Sequence, residues 1–318
     1  SGTLDIKAGT IVRYIEKATG HIYETEMFSP KHTRISNTTI PLVADGVWGS
    51  GANSLITRYL SDDDVTVDTY SLSLKNVSTS TENTLSGIAF PGGISDLVVY
   101  STSVFYLQQN ATFAQGFVSN FDGSKKKLIW SSEIKELNPQ FVNDKTVVLT
   151  TKPYQGIPGF LYFVDTGTGV VKSILNNILG LSALVSPDAS QILYLEQGSS
   201  ARSFLFDQKS KSYTETNPIT FPEKCVWSKK DKTIVYCAVP RELLNNNSLT
   251  SWYIGLVSFT DDIWKYNLKD NTSSILGNLS LESGEQIDVT KPLLSDEEQY
   301  LVFINKIDNT LWSLDFTK

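Results

Sequence analysis

Apolar and polar residues alternate along this chain in short runs, and the runs repeat. One pattern is an apolar strand, a polar turn and a second apolar strand. It reads ALVSPDASQILYL at 183–195, CVWSKKDKTIVYC at 225–237, PLLSDEEQYLVFI at 292–304 and PQFVNDKTVVLT at 139–150. Looser copies are GVWGSGANSLITRYL at 46–60 and IAFPGGISDLVVY at 88–100. A second pattern is an aromatic strand, a short polar or glycine turn and a returning strand. It reads GFLYFVDTGTGVVKSIL at 159–175, SFLFDQKSKSYTET at 203–216, IWKYNLKDNTSSIL at 263–276, GFVSNFDGSKKKLIW at 116–130 and HIYETEMFSPKHTRI at 21–35. Weaker copies lie at 69–82 and 310–318.

The two patterns alternate, so each unit is two linked hairpins of four strands. Equivalent positions fall at Gly49, Gly92, Asn143, Ser186, Ser228 and Ser295, mostly 42 to 51 residues apart. Four-stranded units at this period predict an all-β chain, a β-propeller filling residues 1–318 as one domain. Strands such as Thr233–Tyr236 and Leu301–Phe303 are apolar at successive positions. That suits sheets covered on both faces by neighbouring blades. Seven blades are expected, with the front strands 11–16, 21–27 and 32–36 forming their own unit; six is the alternative. Leu4-Asp5-Ile6 is expected to pair into the last blade and close the ring, which would remove an exposed edge.

The motifs resemble the TolB-like or WD40-like periplasmic propeller repeats, in which a W-S-P-D-G-type turn precedes an apolar strand. Val185-Ser186-Pro187-Asp188 and Trp227-Ser228 match best, and Phe121-Asp122-Gly123-Ser124 is similar to the D-G-S turn between outer strands. No copy keeps the whole W-S-P-D-G, and the Gly-His and Trp-Asp pairs of true WD40 blades are absent. The resemblance implies this fold and a habit of binding proteins or peptides; fold alone does not fix function.

Composition narrows the classes. Apolar residues make up 40% of the 318 and charged residues 19%, enough for a real core. The net charge of −7 argues against a nucleic-acid partner, and Lys125-Lys126-Lys127 reads as a solvated turn. No run of about 18 apolar residues offers a membrane span. The start Ser1-Gly2-Thr3 lacks an initiator Met, as expected of a chain whose leader or anchor has been removed.

The only two cysteines, Cys225 and Cys237, lie twelve apart. That spacing suits neither a zinc site, with His21 and His32 at the far end, nor a redox Cys-x-x-Cys. A turn centred on Asp231 places Ser228 opposite Ile234, Trp227 opposite Val235 and Cys225 opposite Cys237, which favours a disulfide over two buried thiols. A disulfide implies an oxidising compartment: periplasm, cell surface or exterior.

No G-x-S-x-G elbow, phosphate loop or sialidase-type Asp box occurs. No catalytic residue and no cofactor is expected. Asp62-Asp63-Asp64, near Asp68, is a weak calcium candidate whose ordinary reading is a solvated loop. Six Asn-x-Ser/Thr sequons, at Asn37, Asn76, Asn110, Asn246, Asn271 and Asn278, are no more than such a composition produces by chance.

The segment RELLNNNSLTSWYIGLVSFTDD at 241–262 interrupts one blade between its second and third strands. Loops this long in a compact domain are usually functional or disordered, and the apolar content of this one argues against disorder. It is either a lid on the propeller's own surface or a binding lip built from Trp252, Tyr253, Phe259, Asp261 and Asp262. The expectation is a monomeric, exported, non-enzymatic propeller that binds a protein or peptide. A carbohydrate-binding or carbohydrate-active propeller, and a structural ectodomain of a larger surface protein, are the alternatives.

Overall fold

The computed structural model describes residues 4–8, 11–29, 31–40, 42–61, 63, 65–74, 85, 87–245 and 247–317. It is a β-propeller of seven blades, each an antiparallel sheet of strands consecutive in sequence. Blade 1 is β1 (Leu4–Ala8), β2 (Ile11–Ile15), β3 (Ile22–Glu26) and β4 (His32–Arg34); blade 2 is β5 (Val43–Trp48), β6 (Ser54–Leu60), β7 (Val67–Ser73) and β8 (Gly87–Ala89). Blade 3 is β9 (Ile94–Tyr100), β10 (Ser103–Gln109), β11 (Ala114–Asn120) and β12 (Lys127–Ser132); blade 4 is β13 (Leu137–Asn143), β14 (Thr146–Thr151), β15 (Pro158–Asp165) and β16 (Val171–Leu179). Blade 5 is β17 (Ser182–Val185), β18 (Gln191–Gln197), β19 (Ala201–Asp207) and β20 (Ser212–Thr216); blade 6 is β21 (Cys225–Trp227), β22 (Ile234–Pro240), β23 (Asp261–Asn267) and β24 (Thr272–Gly277). Blade 7 has three strands among the described residues: β25 (Val289–Leu294), β26 (Tyr300–Asn305) and β27 (Leu311–Asp315).

Two expectations are corrected. The N-terminal strand β1 pairs with β2, Leu4 opposite Tyr14, and so belongs to blade 1 and not to the last blade. The hairpin read at 88–100 is not one. Gly87–Ala89 pairs with β7, whereas Ile94–Tyr100 pairs with β10 across a turn at Ser101. A Pro-Gly-Gly turn looks the same whether it joins strands within a blade or between blades, and only pairing distinguishes them. The returning strand read within 69–82 falls partly on residues outside those described; the strand that pairs with β7 is β8.

The chain divides into two compact units: residues 1–135 with 164–170, and residues 136–163 with 171–318. In the first, Ile15, Ile22 and Ile35 of blade 1 pack with Trp48, Leu55 and Leu72 of blade 2. Ile56 of blade 2 packs with Leu97, Tyr106 and Phe117 of blade 3. In the second, Val148 and Leu161 meet Ile192, Tyr194 and Phe204. Leu193 and Leu205 meet Trp227, Val235 and Tyr266, while Tyr236 and Ile263 meet Leu294, Leu301 and Phe303. This blade-on-blade packing accounts for the apolar runs. All seven residues of β22 are buried because both of its faces are covered.

The predicted register of the 225–237 hairpin is found. Cys225 opposes Cys237, Trp227 opposes Val235, and the Ser228 N–H donates to the Ile234 carbonyl. The two cysteines form a disulfide. Among the described residues no helix is long and apolar enough to cross a membrane.

Candidate active site around Tyr253 and Glu223

Two short elements build this site, both in the second unit. The first is a 3₁₀ turn, Pro222–Lys224, immediately before β21. Pro222 suits its start, because proline's fixed φ matches a helical first position. The second is helix α1, Ser248–Tyr253, inside the long connection between β22 and β23. Leu249 and Trp252, three apart, form the apolar side of α1 and are buried with Leu195, Ala201, Phe221 and Phe259. The Phe221 ring lies 5.4 Å from Trp252 and 5.6 Å from Phe259.

Beneath this aromatic cluster lies a buried ion group. The Lys224 ammonium is 2.5 Å from both Asp261 Oδ2 and Asp288 Oδ1, and all three side chains are fully buried. The Trp252 indole N–H donates to Asp288 at 2.9 Å, and the Phe259 N–H donates to the same carboxylate at 3.2 Å. The Val289 N–H donates to Asp261 Oδ2 at 2.7 Å, whereas Asp261 Oδ1 is buried without a hydrogen-bond partner. Burial pushes the Asp261 carboxyl up to about 6, against the pull of Lys224. Lys306 lies 5.1 Å from the Trp252 ring centre and donates to the Val257 carbonyl. Burial lowers the pKa of its ammonium, with Asp288 opposing.

Next to this group is a pocket of about 410 Å³ lined by Glu136, Asn138, Lys152, Pro153, Tyr154 and Tyr253. Lys152 pairs with Glu136 at 3.1 Å. The loop after β14 is tied to α1 by the Gln155 N–H donating to Thr250 Oγ1 at 3.0 Å. Tyr154 is 60% exposed and offers an open ring face. Tyr253 donates its hydroxyl to Glu223 Oε1, which also accepts from Ser182 Oγ at 2.6 Å. Glu223 Oε2 is buried and has no hydrogen-bond partner. Burial raises the Glu223 carboxyl above the usual carboxylate range, only partly offset by the two hydroxyls. Burial and the adjoining Glu223 charge both raise the Tyr253 phenol, which the Asn138 side chain also hydrogen-bonds. A phenol and a carboxyl whose proton affinities are both raised, one of them on a pocket wall, mark a candidate acid–base site. A second hollow of about 350 Å³, among Leu243, Asn245, Ser248 and Phe259, has Glu242 as the only titratable side chain among the described residues lining it.

The sequence-derived residues therefore part company. Tyr253 reaches the first pocket, whereas Trp252 and Asp261 are buried and Phe259, also buried, borders only the second hollow. Asp262 is nearly buried and takes two hydrogen bonds from the Arg241 guanidinium, at 2.7 and 3.0 Å. Asp62 and Asp64 lie outside the described residues; Asp63 caps its own turn, accepting from the Val65 and Thr66 N–H groups. Among the described residues no group of three or more His, Cys, Asp or Glu side chains is placed to hold a metal ion. Glu223, Lys224 and Asp288 went unnoticed in the sequence. The available signal was weak: two adjacent charges, Glu223-Lys224, directly before an apolar strand.

No protein-family model and no curated protein matches the chain. Solved structures do. Oligogalacturonate lyase from Vibrio parahaemolyticus superposes with a TM-score of 0.62 at 11% identity, covering 98% of this chain and 95% of that one. An oligogalacturonate lyase in complex with manganese gives 0.62 at 10% identity. The β-propeller domain of the Trilobed protease from Pyrococcus furiosus, described as having an open velcro topology, gives 0.60 at 11% identity and covers 99% of this chain and 95% of that one. TolB from Acinetobacter baumannii gives 0.51 at 12% identity, covering 86% of this chain and 65% of that one. At such identities the likeness is one of fold. It nonetheless overturns the expectation of a non-enzymatic module, which rested on a binding habit attached to the fold: proteins named as lyases carry this fold along almost their whole chain. The disulfide and the TolB-like likeness both fit an exported protein. The chain has the TolB-like β-propeller fold.

Proposed function

We propose that this propeller is an acid–base enzyme acting on a carbohydrate, with Tyr253 transferring the proton and Glu223 supporting it. The observation that carries this reading is the Tyr253–Glu223 hydrogen bond at the wall of the 410 Å³ pocket. Opening a glycosidic bond, by hydrolysis or by elimination, requires a proton for the departing oxygen. The Tyr253 phenol stays protonated at neutral pH; turning its O–H from Glu223 to the departing oxygen transfers the proton, and Glu223 in its protonated form, which burial favours, returns one to the phenolate and is itself reprotonated from water. The exposed face of Tyr154 suits stacking on a sugar ring. Lys152, which pairs with the largely exposed Glu136, places a cation on the pocket wall near a bound sugar carboxylate. The resemblance to proteins named oligogalacturonate lyase makes an acidic oligosaccharide the first substrate to test. On this reading the protein works in the periplasm, at the cell surface or outside the cell.

The test is a panel of neutral and uronate-containing oligosaccharides with two readouts. New reducing ends report either reaction, and absorbance from a double bond conjugated to a carboxylate reports elimination. Tyr253→Phe and Glu223→Gln should each lower turnover by roughly 10²–10⁴-fold. Turnover unchanged in Tyr253→Phe, or absent across the panel for the wild type, would sink the proposal.

A further inference from the structure

The pocket and the buried ion group share two pairs of chain neighbours. In the 3₁₀ turn, Glu223 reaches Tyr253 while Lys224, the next residue, reaches Asp261 and Asp288. In α1, Trp252 reaches Asp288 while Tyr253, the next residue, lines the pocket. Consecutive side chains diverge by about 100° in an α-helix and about 120° in a 3₁₀ turn, so one partner can be locked inward while the other faces outward. Both inward partners converge on one carboxylate, that of Asp288.

We infer that Asp288, held by Lys224 and Trp252, is a positioning residue that sets the Tyr253–Glu223 pair at the pocket wall. The inference rests on the acid–base reading of that pair. Asp288 is itself fixed: its N–H donates to Asn305 Oδ1 at 3.0 Å, and the Phe259 N–H donates to its carboxylate. The other charged groups facing the cluster are Asp261 on β23 and Lys306, just after β26. Tyr253 is held by Glu223, by Asn138 and by the edge-on contact of its ring with Trp252 at 5.5 Å. If the indole–Asp288 bond is broken, the last turn of α1 is free to shift, water reaches Glu223, and its carboxyl moves back toward the ordinary range.

The experiment follows the Glu223 carboxyl by infrared titration, identified as the carboxylic C=O band that Glu223→Gln abolishes. Trp252→Phe keeps an aromatic ring and removes the N–H. It should lower the proton affinity of Glu223 by about tenfold or more, one pKa unit. Asp262→Asn, which weakens the Arg241 pair elsewhere in the same insertion, should leave it unchanged. Where Trp252→Phe fails to fold, the wild type supplies the test. The Trp252 indole N–H resonance should show an inflection at the Glu223 titration, and Glu223→Gln should remove it. An unchanged Glu223 titration in folded Trp252→Phe, or an indole signal indifferent to Glu223→Gln, overturns the positioning role and leaves the acid–base reading standing. A wild-type Glu223 that titrates like a free carboxylate overturns both.

Discussion

Blades 5 and 6 are built on the same repeat and differ at one connection. In blade 5 the second and third strands, β18 and β19, are joined by residues 198–200; in blade 6, β22 and β23 are joined by residues 241–260. The short turn of blade 5 leaves a sheet held by apolar contact, with Tyr194 stacked on Phe204 at 5.2 Å. The long connection of blade 6 folds back as α1 and encloses three charged side chains. A blade that only packs needs no buried charge. One that carries a long loop must bury the loop's own polar backbone, and here Asp288 accepts the Phe259 N–H as well as the Trp252 indole. The price is a cluster whose members cannot be removed singly.

That contrast can be broken most forcefully at Lys224. Lys224→Met removes the ammonium bonded to both buried carboxylates, leaving only the more distant Lys306, and should cost about 3–5 kcal/mol in denaturant unfolding. A loss under about 1 kcal/mol would mean the cluster is not the anchor of blade 6. Next in size is the disulfide, which blade 5 lacks. The Cys225→Ser, Cys237→Ser double variant should lose roughly 3 kcal/mol, the expected worth of closing a loop of this length. A loss near zero would show that blade-on-blade packing alone holds the hairpin.

The third prediction concerns pH. The folded-state Asp261 carboxyl holds its proton up to about 6, above its unfolded value of 3.8. Between those values the native state binds more protons than the unfolded state, so this group makes stability fall as pH rises from about 4 to 6. The fall should be on the order of 2 kcal/mol and should vanish in Asp261→Asn, measured by unfolding at a series of pH values. The smallest effect sharpens what the two blades have in common. Asp188 and Asp231 each cap the turn after the first strand, accepting from Ser190 and Thr233 respectively. Asp188→Ala and Asp231→Ala should each lower stability slightly in denaturant unfolding, Asp188→Ala the more, because Asp188 also accepts from Ser186 Oγ and faces Lys232.

The sequence by itself determined the four-strand repeat and the Cys225–Cys237 pairing, and favoured seven blades over six. These are local properties: short apolar strand runs, turns of two to five residues and direct cross-strand register are all written within about 15 residues of chain. It also located the insertion and its aromatic content. Only the tertiary structure decided which way each side chain faces. Trp252 and Tyr253 are neighbours of similar composition, yet one is 5% and the other 40% exposed. Asp288 lies 64 residues beyond Lys224, and no local pattern joins them. Likewise Glu223 meets Tyr253 only because the insertion folds back across the blade. The fate of β1 was settled the same way, since Leu4–Ala8 can pair with whichever edge is offered, and the edge it takes is β2. Contacts set by chain return rather than by period leave no periodic trace, which is why the scaffold was legible and the site was not.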